Sequence, residues 1–217
     1  MPVALSTFND LVTECQDWLF GRADIAGKVP TFVRLAEAKF NRTLSCRQME
    51  QRSTTTISLA NDEPEFISLP GDFQLMRRVR LKNLPNRPRL KFAVASQLDE
   101  LSQRENGGQP GTPIWFGLAG DEMELCPAPN SEFVIEMTYR KKLPPLGADN
   151  QTNWLLDLAP DAYLYGTLME AAPYLHEDER IAVWSSGVQG AVDQLNNMSE
   201  KALYNAGPLT IRRKGYR

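Results

Sequence analysis

Few side chains in this sequence could drive a reaction, and their spacing argues against one. A single histidine, His176, stands in the stretch LHEDER between two helical patterns. Without a second imidazole it cannot supply half of a paired metal site, and a nucleophile triad would rest on it alone. Its place at a junction fits a cap or surface role. Cys15, Cys46 and Cys126 are odd in number and far apart, which suits neither a disulfide framework nor a zinc spacing. Reduced, partly buried thiols are expected. Gly107, Gly108 and Gly111 share a turn with Pro110 and Pro113, and no glycine-rich phosphate loop of either common pattern occurs. Carboxylates do pair, Glu122 with Glu124 on one strand face and Glu177, Asp178 and Glu179 in a run. A turn and a helix N-terminus, where the macrodipole favours acids, account for both groups. The expectation is a chain with no catalytic residue, no metal ligand and no cofactor.

Charge is more informative. The 217 residues carry a formal charge of -3, against the basic excess of a general nucleic-acid binder. Yet no acid lies between Asp72 and Asp99, while Arg77, Arg78, Arg80, Lys82, Arg87, Arg89 and Lys91 all do. This cluster reads as the solvated face of a hairpin or as a surface turned to an acidic partner or a DNA channel. A second basic group closes the chain. After Gly207 and Pro208 come Leu209, Thr210 and Ile211, then Arg212, Arg213, Lys214, Tyr216 and Arg217. Strand-forming residues with no partner strand nearby, followed by cations, make an extended arm with nothing of its own chain to rest on.

The elements that would position these groups follow from periodicity. Thr7 and Asp10 form a capping-box pattern ahead of Phe8, Leu11, Val12, Cys15 and Leu19 at helical spacing, with Gly21 closing the helix. Pro30 opens a second helix, whose buried face is Phe32, Leu35, Ala36 and Phe40. From about Ser53 to Lys141 the period shifts toward two, in pieces such as TTTISLA, EFISLP, LMRRVRL, RLKFAVA, PIWFGLA, EMELCPA and FVIEMTYR, separated by Pro, Gly, Asn and Asp turns. SQLDELSQRENG between them suits a short helix. Pro160 starts another helix, which Pro173 should kink or end. A long final helix carries a seam at Ile181, Trp184, Val188, Ala191, Leu195, Met198 and Ala202, stepping alternately by three and four. That heptad-like pattern suits lengthwise packing on another helix. No apolar run approaches the ~20 residues of a membrane span, and the N-terminus lacks the marks of a signal peptide, so synthesis in a cytoplasm is expected.

These pieces together resemble a known family. VPTFVRLAEAKFNRTL, SLPGDFQLMRRVRL, GTPIWFGLAGDEMELCPAP and MTYRKKLPPL followed by TNWLLDLAPDAYLYGTLMEAAPYLHEDERIAVW are similar to stretches of the head-to-tail adaptor (connector) proteins of tailed bacteriophages. More distantly they are similar to adaptors of the tail tubular protein A type. The last stretch is the most specific, because its Asn-Trp-Leu, Tyr-Gly and Glu-Ala-Ala elements occur in order.

The resemblance implies an α+β fold. An antiparallel bundle would be built from helices of 1–52 and 146–206, with an antiparallel β domain inserted at 53–145 and an extended arm at 207–217. It further implies a structural virion protein of the neck, made in the host bacterial cytoplasm, forming a twelve-fold ring beneath the portal. Its partners would be the portal protein, neighbouring copies, a tail or nozzle protein and the double-stranded DNA of the channel, with no membrane. The arm would bind the portal, and Leu118–Glu124 and LKNLPNRPRL are candidates for tail-side contact. The rival reading is a DNA-binding module using 77–91 and the tail. An enzyme that cleaves carbohydrate would need a carboxylate pair in a cleft.

Overall fold

The computed structural model describes residues 5–21, 25, 27–60, 63–175 and 178–204. His176, Glu177 and the expected arm at 207–217 lie outside the described residues. The fold is α+β. The chain divides into two compact units, a helical one from residues 1–48 and 143–217 and a β unit from 49–142. The β unit thus begins a few residues ahead of the boundary expected at 53, because strand pairing already starts at Glu50, before the β-branched run TTT.

In the helical unit, α1 is Phe8–Trp18. Asp10 N donates to Thr7 Oγ1 at 3.2 Å and Thr7 N donates to Asp10 Oδ2 at 2.9 Å, completing the capping box. Beyond Leu19, Gly21 takes a φ of +61°, the left-handed region where a residue without Cβ is favoured. Helix α2 is Val29–Thr43, with Pro30 in its first turn, where its missing N–H goes unnoticed. Its buried face is Phe32, Val33, Ala36, Glu37 and Phe40, while Leu35 is exposed. After α3, Ala95–Asn106, which belongs to the β unit, come α4, Trp154–Leu158, and α5, Pro160–Leu175. Pro173 sits inside α5, which runs two residues past it. Helix α6, Asp178–Tyr204, is the longest and packs on α5.

The seam of α6 is buried at Trp184, Ala191 and Leu195 and half-buried at Ile181 and Val188, whereas Met198 and Ala202 are exposed. Toward the C-terminus the covered face passes to Val192 and Ser199. At ~1.5 Å per residue, α6 is about 40 Å long against about 24 Å for α5, so its last turns run past the helix that covers its start. Ser199 Oγ instead accepts from Arg47 N at 3.1 Å, and Asn196 Oδ1 accepts from Ser45 N at 2.8 Å.

The β unit holds two sheets. In one, β1 (Glu50–Thr56), β7 (Val134–Lys141) and β3 (Phe73–Leu81) lie in the order β1-β7-β3, all antiparallel. The other has the order β2-β6-β5-β4, from β2 (Phe66–Ser68), β6 (Glu122–Cys126), β5 (Trp115–Ala119) and β4 (Lys91–Phe92). Helix α3, Ala95–Asn106, is the short helix expected in SQLDELSQRENG. RLKFAVA departs from the reading as an antiparallel strand. It yields only the two residues of β4, paired parallel to β5, because Ala95 already starts α3. Ile57, Ile67, Val79, Phe116, Met123, Ile135, Met137 and Tyr139 form a core lined by both sheets. The alternation in FVIEMTYR sends Ile135, Met137 and Tyr139 into it.

Candidate interaction surfaces

The basic cluster read as one patch is divided by the strand geometry. In β3, Arg78 stands opposite Thr138 and Arg80 opposite Glu136 on β7, on the sheet face away from Val79 and Leu81. Arg52 on β1 also pairs opposite Thr138, and Arg140 Nε donates to Gln74 Oε1 at 3.0 Å. Glu136 is buried on the middle strand, with Arg80 Nε 2.9 Å from one carboxylate oxygen and Arg52 Nη1 3.8 Å from the other. The Arg80 contact is close in distance but not aligned as a hydrogen bond. A register shift between Met76 and Arg78 turns Arg77 elsewhere. It lies 3.9 Å from Glu50, and its carbonyl accepts from Arg89 Nη2 at 3.4 Å. Lys82 and Arg87 are exposed, Arg87 with a φ of +43°. Lys91 lies over the Trp115 ring, 4.7 Å from its centre.

Of the acids singled out in the sequence, Glu177 lies outside the described residues. Glu122 is exposed and Glu124 half-buried on one face of β6. Burial, with Asp99 and Glu65 nearby, raises the Glu124 carboxyl above its usual range. No group of three or more His, Cys, Asp or Glu is placed to hold a metal ion among the described residues. The three cysteines are buried and form no disulfide, and burial pushes the Cys15 thiol up to about 12.

A polar cluster that periodicity does not reveal lies inside the helical unit. Glu37, on the buried face of α2, accepts through Oε1 from Leu146 N at 2.8 Å and from the Tyr163 hydroxyl at 3.0 Å. Asn153 Nδ2 donates to the Tyr163 oxygen at 2.6 Å and to Pro144 O at 2.8 Å. Asn153 Oδ1 caps α4 by accepting from Leu155 N and Leu156 N. Burial raises the Glu37 carboxyl, against the opposing pull of its two donors and Arg34. Burial and the neighbouring Glu37 charge raise the Tyr163 hydroxyl.

The same region holds Gly166, where an added Cβ would lie 2.8 Å from Phe40 Cζ and 3.4 Å from Ala36 Cβ. Lys39 pairs with Glu170. Gly166→Ala is therefore expected to lower stability by ~1–3 kcal/mol, since overpacking a filled core displaces side chains. Thermal melts check it, and an unchanged midpoint would mean that Phe40 yields freely.

Residues of the four sequence elements named earlier thus meet in these two units. Glu37 and Asn153 belong to the cluster, and Gly166 lies against Ala36 and Phe40 of the neighbouring helix. In the β unit, Asp72 of SLPGDFQLMRRVRL accepts from the Tyr139 hydroxyl at 2.8 Å, and burial together with this acceptor pushes that hydroxyl up to about 12. The family model of the SU10 adaptor protein matches residues 6–212. The chain belongs to that family. It is a phage head-to-tail adaptor, with a structural connector role, and membership in a structural family speaks against an enzymatic reading. No curated protein matches the chain. The adaptor's buried Glu37 cluster is a piece of fold architecture, and the exposed cations Lys82 and Arg87 lie in the β unit.

Proposed function

We propose that this adaptor forms a twelve-fold ring beneath the portal, extends the DNA channel and presents the attachment site for a tail or nozzle protein, within the neck of the virion. The observation that carries the reading is the family match, which spans both units and runs to residue 212, inside the basic arm. The arm is the portal-binding element. Leu209, Thr210 and Ile211 add an extended segment to an exposed edge of the portal, where main-chain hydrogen bonds set register. Arg212, Arg213, Lys214 and Arg217 meet an acidic surface and Tyr216 anchors the end. One arm must lose its chain freedom on binding, and repetition around a ring overcomes that cost through effective concentration. Nothing in the scheme needs a membrane, and among the described residues no helix is long and apolar enough to cross one.

Native mass spectrometry of the chain mixed with the portal from the same genome tests this. The full chain is expected to add as a twelve-copy layer, and a truncation after Asn205 to lose binding. Equal binding by both would remove the arm from the scheme, and no binding by either would overturn the portal reading.

A second reading, DNA contact through the basic 77–91 hairpin and the C-terminal tail, is favoured by the exposed cations Lys82 and Arg87 of that hairpin. Phosphate contacts weaken steeply with salt. A gel shift that persists near physiological ionic strength would support a dedicated DNA-binding module, and one lost there would leave only passing contact in a channel.

A further inference from the structure

The β unit carries an apolar groove of about 270 Å³ between β3 and the β4–β5 pair, walled by Leu75, Phe92, Phe116 and Leu118 among others and bordered by Arg77 and Arg89. Leu75 and Phe92 are 45% and 57% exposed, so the groove presents apolar side chains at its mouth. The volume is below the ~300–1,000 Å³ of ordinary small-molecule sites and suits one or two protruding side chains. No acid lines it. Among the described residues no carboxylate pairs with Arg89, and the Arg77–Glu50 pair is long and solvated. The complementary occupant is apolar and acidic.

This chain carries such a segment on the opposite edge of the same unit. β1 and β3 are the two edges of one sheet, and β2 and β4 the two edges of the other. The groove lies on the β3/β4 side, whereas residues 57–60, following β1, and 63–65, preceding β2, lie on the other. Ile57 N donates to Phe133 O at 2.8 Å and Leu125 N donates to Glu65 O at 2.9 Å, tying down both stretches. Ser58 Oγ accepts from Ala60 N at 3.3 Å, a local turn beside Leu59. Leu59 is 44% exposed and Glu63 is exposed.

We propose that Leu59 of one copy enters the groove of the next, with Glu63 meeting Arg89 and Arg77 at its rim. A contact between two different surfaces of identical chains repeats head to tail, and closes into a ring when the rotation permits. The inference rests on the ring reading above and names one of its copy-to-copy contacts. The basic arm is a poor occupant, because it has the same sign of charge as the rim.

The test is a full-length Leu59→Cys/Leu75→Cys variant assembled with the portal and oxidised mildly. The native cysteines are all buried, so the introduced pair reacts. A ladder of linked copies is expected from the double variant, dimers at most from a mixture of the two single variants, and none from either alone. Arg89→Glu and Glu63→Arg should each reduce the assembled fraction several-fold, and together restore it. Rings of normal copy number that give no ladder and ignore the charge swap would overturn this contact and leave the ring standing. Failure of the unmodified chain to form any ring would overturn both.

Discussion

Replacing Glu37 by leucine is expected to lower the stability of the chain by ~3–4 kcal/mol, while replacing it by glutamine changes stability by less than ~1 kcal/mol at neutral pH. Leucine leaves Leu146 N and the Tyr163 hydroxyl without an acceptor, and each orphaned buried donor costs ~1–3 kcal/mol. Glutamine keeps an acceptor oxygen facing both donors, which lie at 2.8 and 3.0 Å from the carboxylate. At ~2–4 °C of melting temperature per kcal/mol for a chain of this size, leucine should move the midpoint by about 10 °C. pH separates charge from hydrogen bonding. Burial raises the folded carboxyl above its usual value of 4.5, so the folded state holds the proton more tightly than the unfolded chain does. Stability then falls as pH rises from the unfolded value through the raised folded one. Glutamine has no proton to lose, so its stability relative to the native chain should increase over that same interval. Melts from pH 4 to pH 7 read this directly. A leucine variant as stable as the native chain, or a glutamine difference flat with pH, would refute the account.

That cluster was hidden in the sequence for a physical reason. An acid within VRLAEAKF reads as a solvent-facing position, and the two donors that claim Glu37 lie 109 and 126 residues away. Local signals were far more legible. The capping box at Thr7, the helix opening at Pro30 and the strand alternation around Met137 depend on neighbours within one turn or one strand pair. The seam of α6 shows where local reading drifts. A heptad reading slips by ~20° per seven residues against a straight helix. Over three heptads the covered position moves from Met198 to Ser199, and the seam's last two members are left on the surface. The basic cluster shows a different limit. Seven cations within one stretch look like a single patch, but strand alternation and a register shift after Met76 send Arg80 and Arg77 to different surroundings. No acid nearby in sequence indicates Glu136, because it arrives from another strand.

Arg80→Met should accordingly cost ~3 kcal/mol, far more than Arg87→Ala, although both remove one charge from the same stretch. Glu136 is buried on the middle strand, and its side chain is only 6% exposed. Removing its near partner leaves a carboxylate with Arg52 alone, at 3.8 Å and on a side chain 72% exposed. A buried charge stripped of its partner typically costs ~3–5 kcal/mol, and the residual help from Arg52 places this site at the lower end. Arg52→Ala should cost under ~1 kcal/mol, as for other solvated pairs. Adding Glu136→Leu to Arg80→Met should recover most of the loss, because an apolar pair of similar volume can replace a buried ion pair at little cost. Denaturant unfolding of the full chain measures all four variants. If Arg52→Ala proved as damaging as Arg80→Met, or if the double variant stayed as unstable as the single one, Glu136 would not be held chiefly by Arg80. The outcome also bears on DNA. A guanidinium committed to Glu136 is not free to meet phosphate, so gel-shift effects of Arg80→Met should be small beside those of Lys82→Ala and Arg87→Ala, whose side chains are exposed.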